Sequence, residues 1–131
     1  MKSANFAIFM RRIFLILSVT FIFFGFLSCN QFNRVQKNPD PAYRLTKADE
    51  YYTKKKYRSA QVLYEQLFPS LKGTKEFENA YYKYAYCFFY QKQYAEAERN
   101  FKGYLEVFPN SPKAEEMDYM RAYCFFKQSP K

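Results

Sequence analysis

AYCFFYQ occupies residues 85–91 and AYCFFKQ occupies residues 122–128, an offset of 37. Moving back by the same 37 residues from Ala85 lands on Ala48, in KADEYYTKK. Ala48, Ala85 and Ala122 are therefore equivalent, as are Tyr51, Phe88 and Phe125. Self-similarity at a fixed period of this size is the signature of a repeat array.

Each unit reads as two helices. In the second unit Tyr81, Tyr84, Ala85 and Phe88 fall at i, i+3, i+4 and i+7, one helical face. After Gln91-Lys92-Gln93 a second stripe follows, Tyr94, Ala97, Phe101, Tyr104 and Phe108, and Pro109 ends it. The first unit repeats this with Ala48 and Tyr51, then Tyr57, Ala60, Tyr64 and Leu67, closing at Pro69 before a PSLKGT loop. Asp40 and Pro41 suit the N-cap and first position of the first helix. The third unit opens with Ser111 as N-cap and Pro112 at the first position, and Glu115 and Glu116 favour the positive end of the helix dipole. The run Lys54-Lys55-Lys56, followed by Arg58, reads as a solvated turn between helices.

Working outward to the N-terminus, residues 1–28 carry Lys2, Arg11 and Arg12 but no Asp or Glu. IFLILSVTFIFFGFL, residues 13–27, follows without charge or proline. A positive segment before a short apolar run is a secretory signal. Fifteen residues are short for a membrane span, which needs roughly 20. Residues 30–42, NQFNRVQKNPDPA, are polar, hold two prolines and show no periodicity. They read as a tether.

Composition narrows the chemistry. The chain has no His and no Trp, and beyond residue 28 its glycines are Gly73 and Gly103. A histidine relay, a histidine metal site and a glycine-rich phosphate loop are thereby excluded, so no catalytic or metal-binding residue is assigned. Beyond residue 28, 18 basic residues face 12 acidic ones, a net +6 suited to acidic partners or anionic headgroups. A secreted chain argues against nucleic acid as the partner. The 14 Tyr and 16 Phe of the chain stand out.

The end of the apolar run, Gly25-Phe26-Leu27-Ser28-Cys29, resembles the lipobox of bacterial lipoproteins. That resemblance makes Cys29 the lipidated residue and Ser28 the last residue removed, with Phe26 in place of the usual Leu. The only prosthetic group implied is that covalent lipid. The repeat units are similar to the tetratricopeptide repeat, which wants a small residue and an aromatic on its first helix and Ala, an aromatic, an apolar residue and Pro on its second. Ala85, Phe88, Ala97, Phe101, Tyr104 and Pro109 match in unit two, and Ala48, Tyr51, Ala60, Tyr64 and Leu67 match in unit one. The expected fold is all-α: a tetratricopeptide-type helix-hairpin solenoid of about two and a half repeats. The expected organisation is a signal peptide over 1–28, a lipidated cysteine and flexible tether over 29–42, and a repeat domain over 43–131 belonging to a longer array.

Lipobox, tether and aromatic repeats together resemble the BamD family of outer-membrane lipoproteins, through NPDPAYRLTKADEYYTKKKYRSAQVLYEQLFPSLKGT, YYKYAYCFFYQKQYAEAERNF and FPNSPKAEEMDYMRAYCFF. The resemblance covers residues 29–131, the N-terminal half of that family. It implies a non-enzymatic scaffold, lipid-anchored on the periplasmic side of the outer membrane. The partners it implies are the central barrel subunit of the β-barrel assembly complex and unfolded outer-membrane protein substrates. The alternative is a tetratricopeptide lipoprotein of another periplasmic complex, in cell-wall coordination or trafficking.

A second aromatic stripe runs beside the core stripe: Tyr82, Tyr86, Phe89 and Tyr90, spaced +4, +7 and +8 on one helical face. Tyr119, Tyr123 and Phe126 repeat it 37 residues on, and Tyr52 lies 37 before Phe89. In the tetratricopeptide family such positions line the groove. These eight aromatics are the expected peptide- or partner-binding surface. Cys87 and Cys124 share one repeat position on successive first helices, too far apart to bridge, and are expected to be buried thiols.

Overall fold

The computed structural model of the chain describes residues 10–13 and 31–129. Cys29 and most of residues 1–28 lie outside the described residues. Two compact units divide at residue 37. In the first, Met1–Lys37, the described residues are helical at 10–13 and 31–36. The reading of 30–42 as aperiodic is thus corrected: Phe32 and Val35 stand at i and i+3 inside a short helix that polar neighbours masked.

The second unit, Asn38–Lys131, is all helical in its described residues, with no strand among them. Its helices are α1 (Pro41–Thr53), α2 (Tyr57–Leu71), α3 (Lys75–Tyr90), α4 (Tyr94–Val107) and α5 (Ala114–Gln128). Each packs on its chain neighbours, giving the hairpins α1–α2 and α3–α4, with α5 on α4. Turns of three residues at 54–56, 72–74 and 91–93 make consecutive helices antiparallel. This is the helix-hairpin solenoid expected from the 37-residue period. Among the described residues no helix is long and apolar enough to cross a membrane.

The core follows the repeat. Ala48, Ala60, Ala80, Ala85 and Ala97 are fully buried or nearly so, which lets helices approach, while Leu63, Tyr64, Leu67, Phe101 and Tyr104 fill the space between them. Gly103 serves the same end, since a Cβ there would come within 2.5 Å of the Tyr81 hydroxyl. Cys87 and Cys124 are buried and free, as expected. The equivalence of core positions fails at α5. Ala85 and Phe88 are buried, but Ala122 is exposed and Phe125 is 56% exposed. The described residues place no further helix over them.

The helix ends hold both agreements and corrections. Asp40 caps α1 as expected, its Oδ1 accepting from Ala42 N at 2.9 Å, with Pro41 at the first position. Helix α1 thus starts at Pro41. The turns after α1 and α3 are the same Schellman closure. Lys55 N donates to Tyr52 O at 2.9 Å and Lys56 N to Tyr51 O at 2.8 Å, and 37 residues later Lys92 N donates to Phe89 O at 2.9 Å and Gln93 N to Phe88 O at 3.0 Å. Lys55 and Lys92 both adopt positive φ, 58° and 61°. Pro69 does not end α2, which runs on to Leu71. A proline in the last turn frees only one carbonyl, and burial of Leu71 holds the turn closed. The turn of the chain falls instead at Gly73, with φ 87°. Helix α5 starts at Ala114, not at Pro112. Ser111 still caps the preceding turn, its Oγ accepting from Lys113 N at 3.0 Å.

Candidate peptide-docking face

The eight stripe residues come from α1, α3 and α5, which run in one direction and alternate with α2 and α4. Their rings form one connected ladder across the three helices. Tyr52 of α1 meets Tyr90 of α3 edge-on at 6.3 Å. Within α3, Tyr82 meets Tyr86 at 4.8 Å, Tyr86 stacks on Tyr90 at 5.7 Å, and Phe89 lies 5.8 Å from Tyr90. Phe89 then reaches Tyr123 of α5 at 6.0 Å. Tyr123 stacks with Tyr119 at 6.3 Å and with Phe126 at 6.2 Å. Pairs at these separations attract one another beyond the area they bury.

The ladder is graded in exposure. Tyr90, Tyr119 and Phe126 are 46%, 66% and 71% exposed. Tyr52, Tyr82, Phe89 and Tyr123 are half-buried. Tyr86 departs from the expectation: it is buried, its ring set edge-on against Phe101 of α4 at 5.2 Å. It supports the face from beneath. The first hairpin fills the same slot with polar chemistry. Asp49, 37 residues before Tyr86, accepts from the hydroxyl of Tyr64, 37 before Phe101, at 2.6 Å. The same Oδ1 accepts from Lys83 Nζ at 2.8 Å, tying α1 to α3.

Four contributors escaped the sequence reading. Glu116 does more than favour the helix dipole. In the structure its Oε1 accepts from the hydroxyls of Tyr82 at 2.9 Å and Tyr86 at 2.5 Å, pinning α3 to α5. Lys113 places its ammonium 4.3 Å from the centre of the Tyr82 ring. Tyr57 and Tyr94, read as core of the second helices, extend the ladder: Tyr57 stacks on Tyr90 at 4.6 Å and Tyr94 meets Phe89 at 5.8 Å. Their common 37-residue offset was the available signal. Burial, with the Glu116 carboxylate beside it, pushes the Tyr82 hydroxyl up to about 12 and the Tyr86 hydroxyl well above the usual phenol range. Both stay protonated as donors at neutral pH.

A face of rings with neutral hydroxyls and few free charges suits an extended chain carrying apolar and aromatic side chains. An open cleft of about 320 Å³ lies elsewhere, at the turn between α4 and α5, lined by Glu78, Val107, Phe108 and Pro109 among others. There Glu78 Oε1 accepts from Tyr104 and Ser111 at 2.8 and 2.6 Å, contacts that hold its carboxyl below the usual range and fix the turn. Compared with protein-family models and with curated proteins, the chain matches none.

Proposed function

We propose that this chain is a lipid-anchored, non-enzymatic scaffold of tetratricopeptide type that binds extended segments of partner proteins in the assembly of β-barrel proteins into the outer membrane. The observation that carries the binding part is the aromatic ladder, open at Tyr90, Tyr119 and Phe126 and rigidly backed by Tyr86 and Glu116. Monomeric proteins rarely expose a contiguous apolar patch without a use for it. Tyrosine and phenylalanine bring large contact area at low entropic cost, and side chains alternating along an extended strand can address rings about 6 Å apart.

The anchor and the setting are supported by the sequence. A basic N-terminus, an apolar run and Cys29 at its edge together favour lipidation and export. The resemblance to BamD favours the central barrel subunit and unfolded barrel substrates as partners, on the periplasmic side of the outer membrane. The test is a photo-crosslinker at Phe126 in the full chain, expressed with its own signal in a Gram-negative cell. Capture from solubilised outer membrane should yield the central barrel subunit or nascent barrel proteins. Recovery of cell-wall or trafficking proteins alone would replace the assembly reading by the alternative scaffold. Mass spectrometry of the mature N-terminus should find a diacylglyceryl Cys29, and an unmodified cysteine would remove the anchor.

A further inference from the structure

The odd-numbered helices all end on one edge of the repeat unit, the edge formed by the turns at 54–56 and 91–93. That edge is basic on balance, with Glu50 near the end of α1 and Glu96 in the first turn of α4 as its acids. Lys54, Lys55, Lys56 and Arg58 surround the first turn, Lys92 occupies the second, and Lys127 lies in the last turn of α5; all are exposed. Glu50 takes up Lys54 at 2.6 Å, but among the described residues no carboxylate forms an ion pair with Lys55, Lys56, Arg58 or Lys92. The opposite edge is mixed, with Glu76, Glu115 and Glu116 beside Lys72, Lys75 and Lys113.

Two details separate this edge from an ordinary solvated turn. Lys55 and Lys92 occupy the left-handed position of identical Schellman closures, a site that glycine fills with less strain. A helix C-terminus favours a nearby cation, which accounts for one lysine per turn but not for four basic residues around the first. Exposed rings also sit beside the charges: Tyr90 is the last residue of α3, and Phe125 and Phe126 lie in the last turn of α5. Lysine stems and aromatic rings together are the side chains that settle at a bilayer interface, rings among the headgroups and ammonium groups toward phosphate.

We infer that the edge carrying Lys55, Lys56, Arg58 and Lys92 docks on an anionic phospholipid surface, a second membrane contact beyond the lipid on Cys29. The contact needs only that the chain be held at a bilayer and does not rest on the assembly reading; the edge adjoins the peptide-docking face, with Tyr90 and Phe126 common to both and Lys127 5.1 Å from the Tyr123 ring. Several basic groups near an anionic leaflet make such a contact effective, and salt weakens it.

The test is lysine acylation footprinting of the full chain in vesicles, read by mass spectrometry. Vesicles of phosphatidylcholine are compared with vesicles containing phosphatidylglycerol. The expected result is acylation of Lys55, Lys56 and Lys92 slowed by at least about threefold in the anionic vesicles, as expected for cations held at a charged leaflet. Lys72 and Lys75, on the opposite edge, should be unaffected. The protection should vanish near 1 M salt, where the screening length falls to ~3 Å. Equal labelling in the two lipid mixtures would overturn the inference, as would equal protection of Lys72 and Lys75. Protection by duplex DNA on the detergent-solubilised chain, without protection by the anionic bilayer, would overturn it in favour of a nucleic-acid surface.

Discussion

Glu116 illustrates what a single residue contributes to the face. Its carboxylate sits where two tyrosine hydroxyls from α3 converge, so one side chain fixes both rings and joins two helices. Replacing Glu116 by Ala should cost about 1 kcal/mol for the two hydrogen bonds at this half-open site. The Tyr82 phenol should titrate below the value of about 12 that it has in the native chain. Thermal denaturation and phenolate absorbance check both; an unchanged Tyr82 titration would show the bond to be incidental. Cys87 and Cys124 make a second prediction at this scale. Both are fully buried, and desolvation raises their thiols to about 12 and about 11. Neither should react with iodoacetamide in the folded chain at pH 8, and both should titrate as free thiols once it is denatured without reductant. A disulfide, or rapid native labelling, would contradict the packing described.

Within single elements, the period of the sequence carried most of the information. The 37-residue offset and the 3.6-residue spacing located the five helices and the stripe, because each depends on side chains close together along one helix. What stayed hidden depends on contacts between helices. Pro69 read locally as a stop, yet burial of Leu71 holds α2 through it. Glu116 lies 30 and 34 residues from its partners, a separation that leaves no local trace. By spacing alone Tyr86 is as open as its neighbours; Phe101 of α4, packed against its ring, is what buries it. The turns give the prediction at this scale. Lys55 and Lys92 hold left-handed backbone that costs an L-residue about 1 kcal/mol more than glycine. Lys55→Gly and Lys92→Gly should each raise stability by up to about 1 kcal/mol, read as an increase in Tm. A lower Tm in either variant would mean that the lysine side chain contributes more than its backbone costs.

Taken as a whole, the molecule is built on buried phenols, and that sets its pH range. Burial pushes the hydroxyls of Tyr82, Tyr84 and Tyr104 up to about 12, against about 10 in the unfolded chain. Because the folded values are raised, their contribution is intact below pH ~10 and is lost as pH rises through about 12. Tm should be flat from pH 8 to about 10 and fall beyond it, read by loss of helix in circular dichroism. Ionisation of Tyr84 and Tyr104 without loss of helix would show that they are not buried as described. The exposed side of α5, with Phe125 at 56%, should also make the detergent-free chain self-associate, and Phe125→Lys should reduce this in sedimentation. The ladder shared by α1, α3 and α5 carries the binding proposed above. Its most direct measurement is the affinity of a peptide with alternating aromatic residues, patterned on the last strand of a barrel protein, for the full chain in detergent. Replacing Tyr90, Tyr119 and Phe126 together by Ala removes the open rings and leaves Tyr86 and Glu116 in place. With helix content unchanged by circular dichroism, affinity should fall at least about tenfold, as expected when anchor residues of an interface are truncated. An unchanged affinity in the folded triple variant would mean that the ladder only packs the helices and that the peptide binds elsewhere.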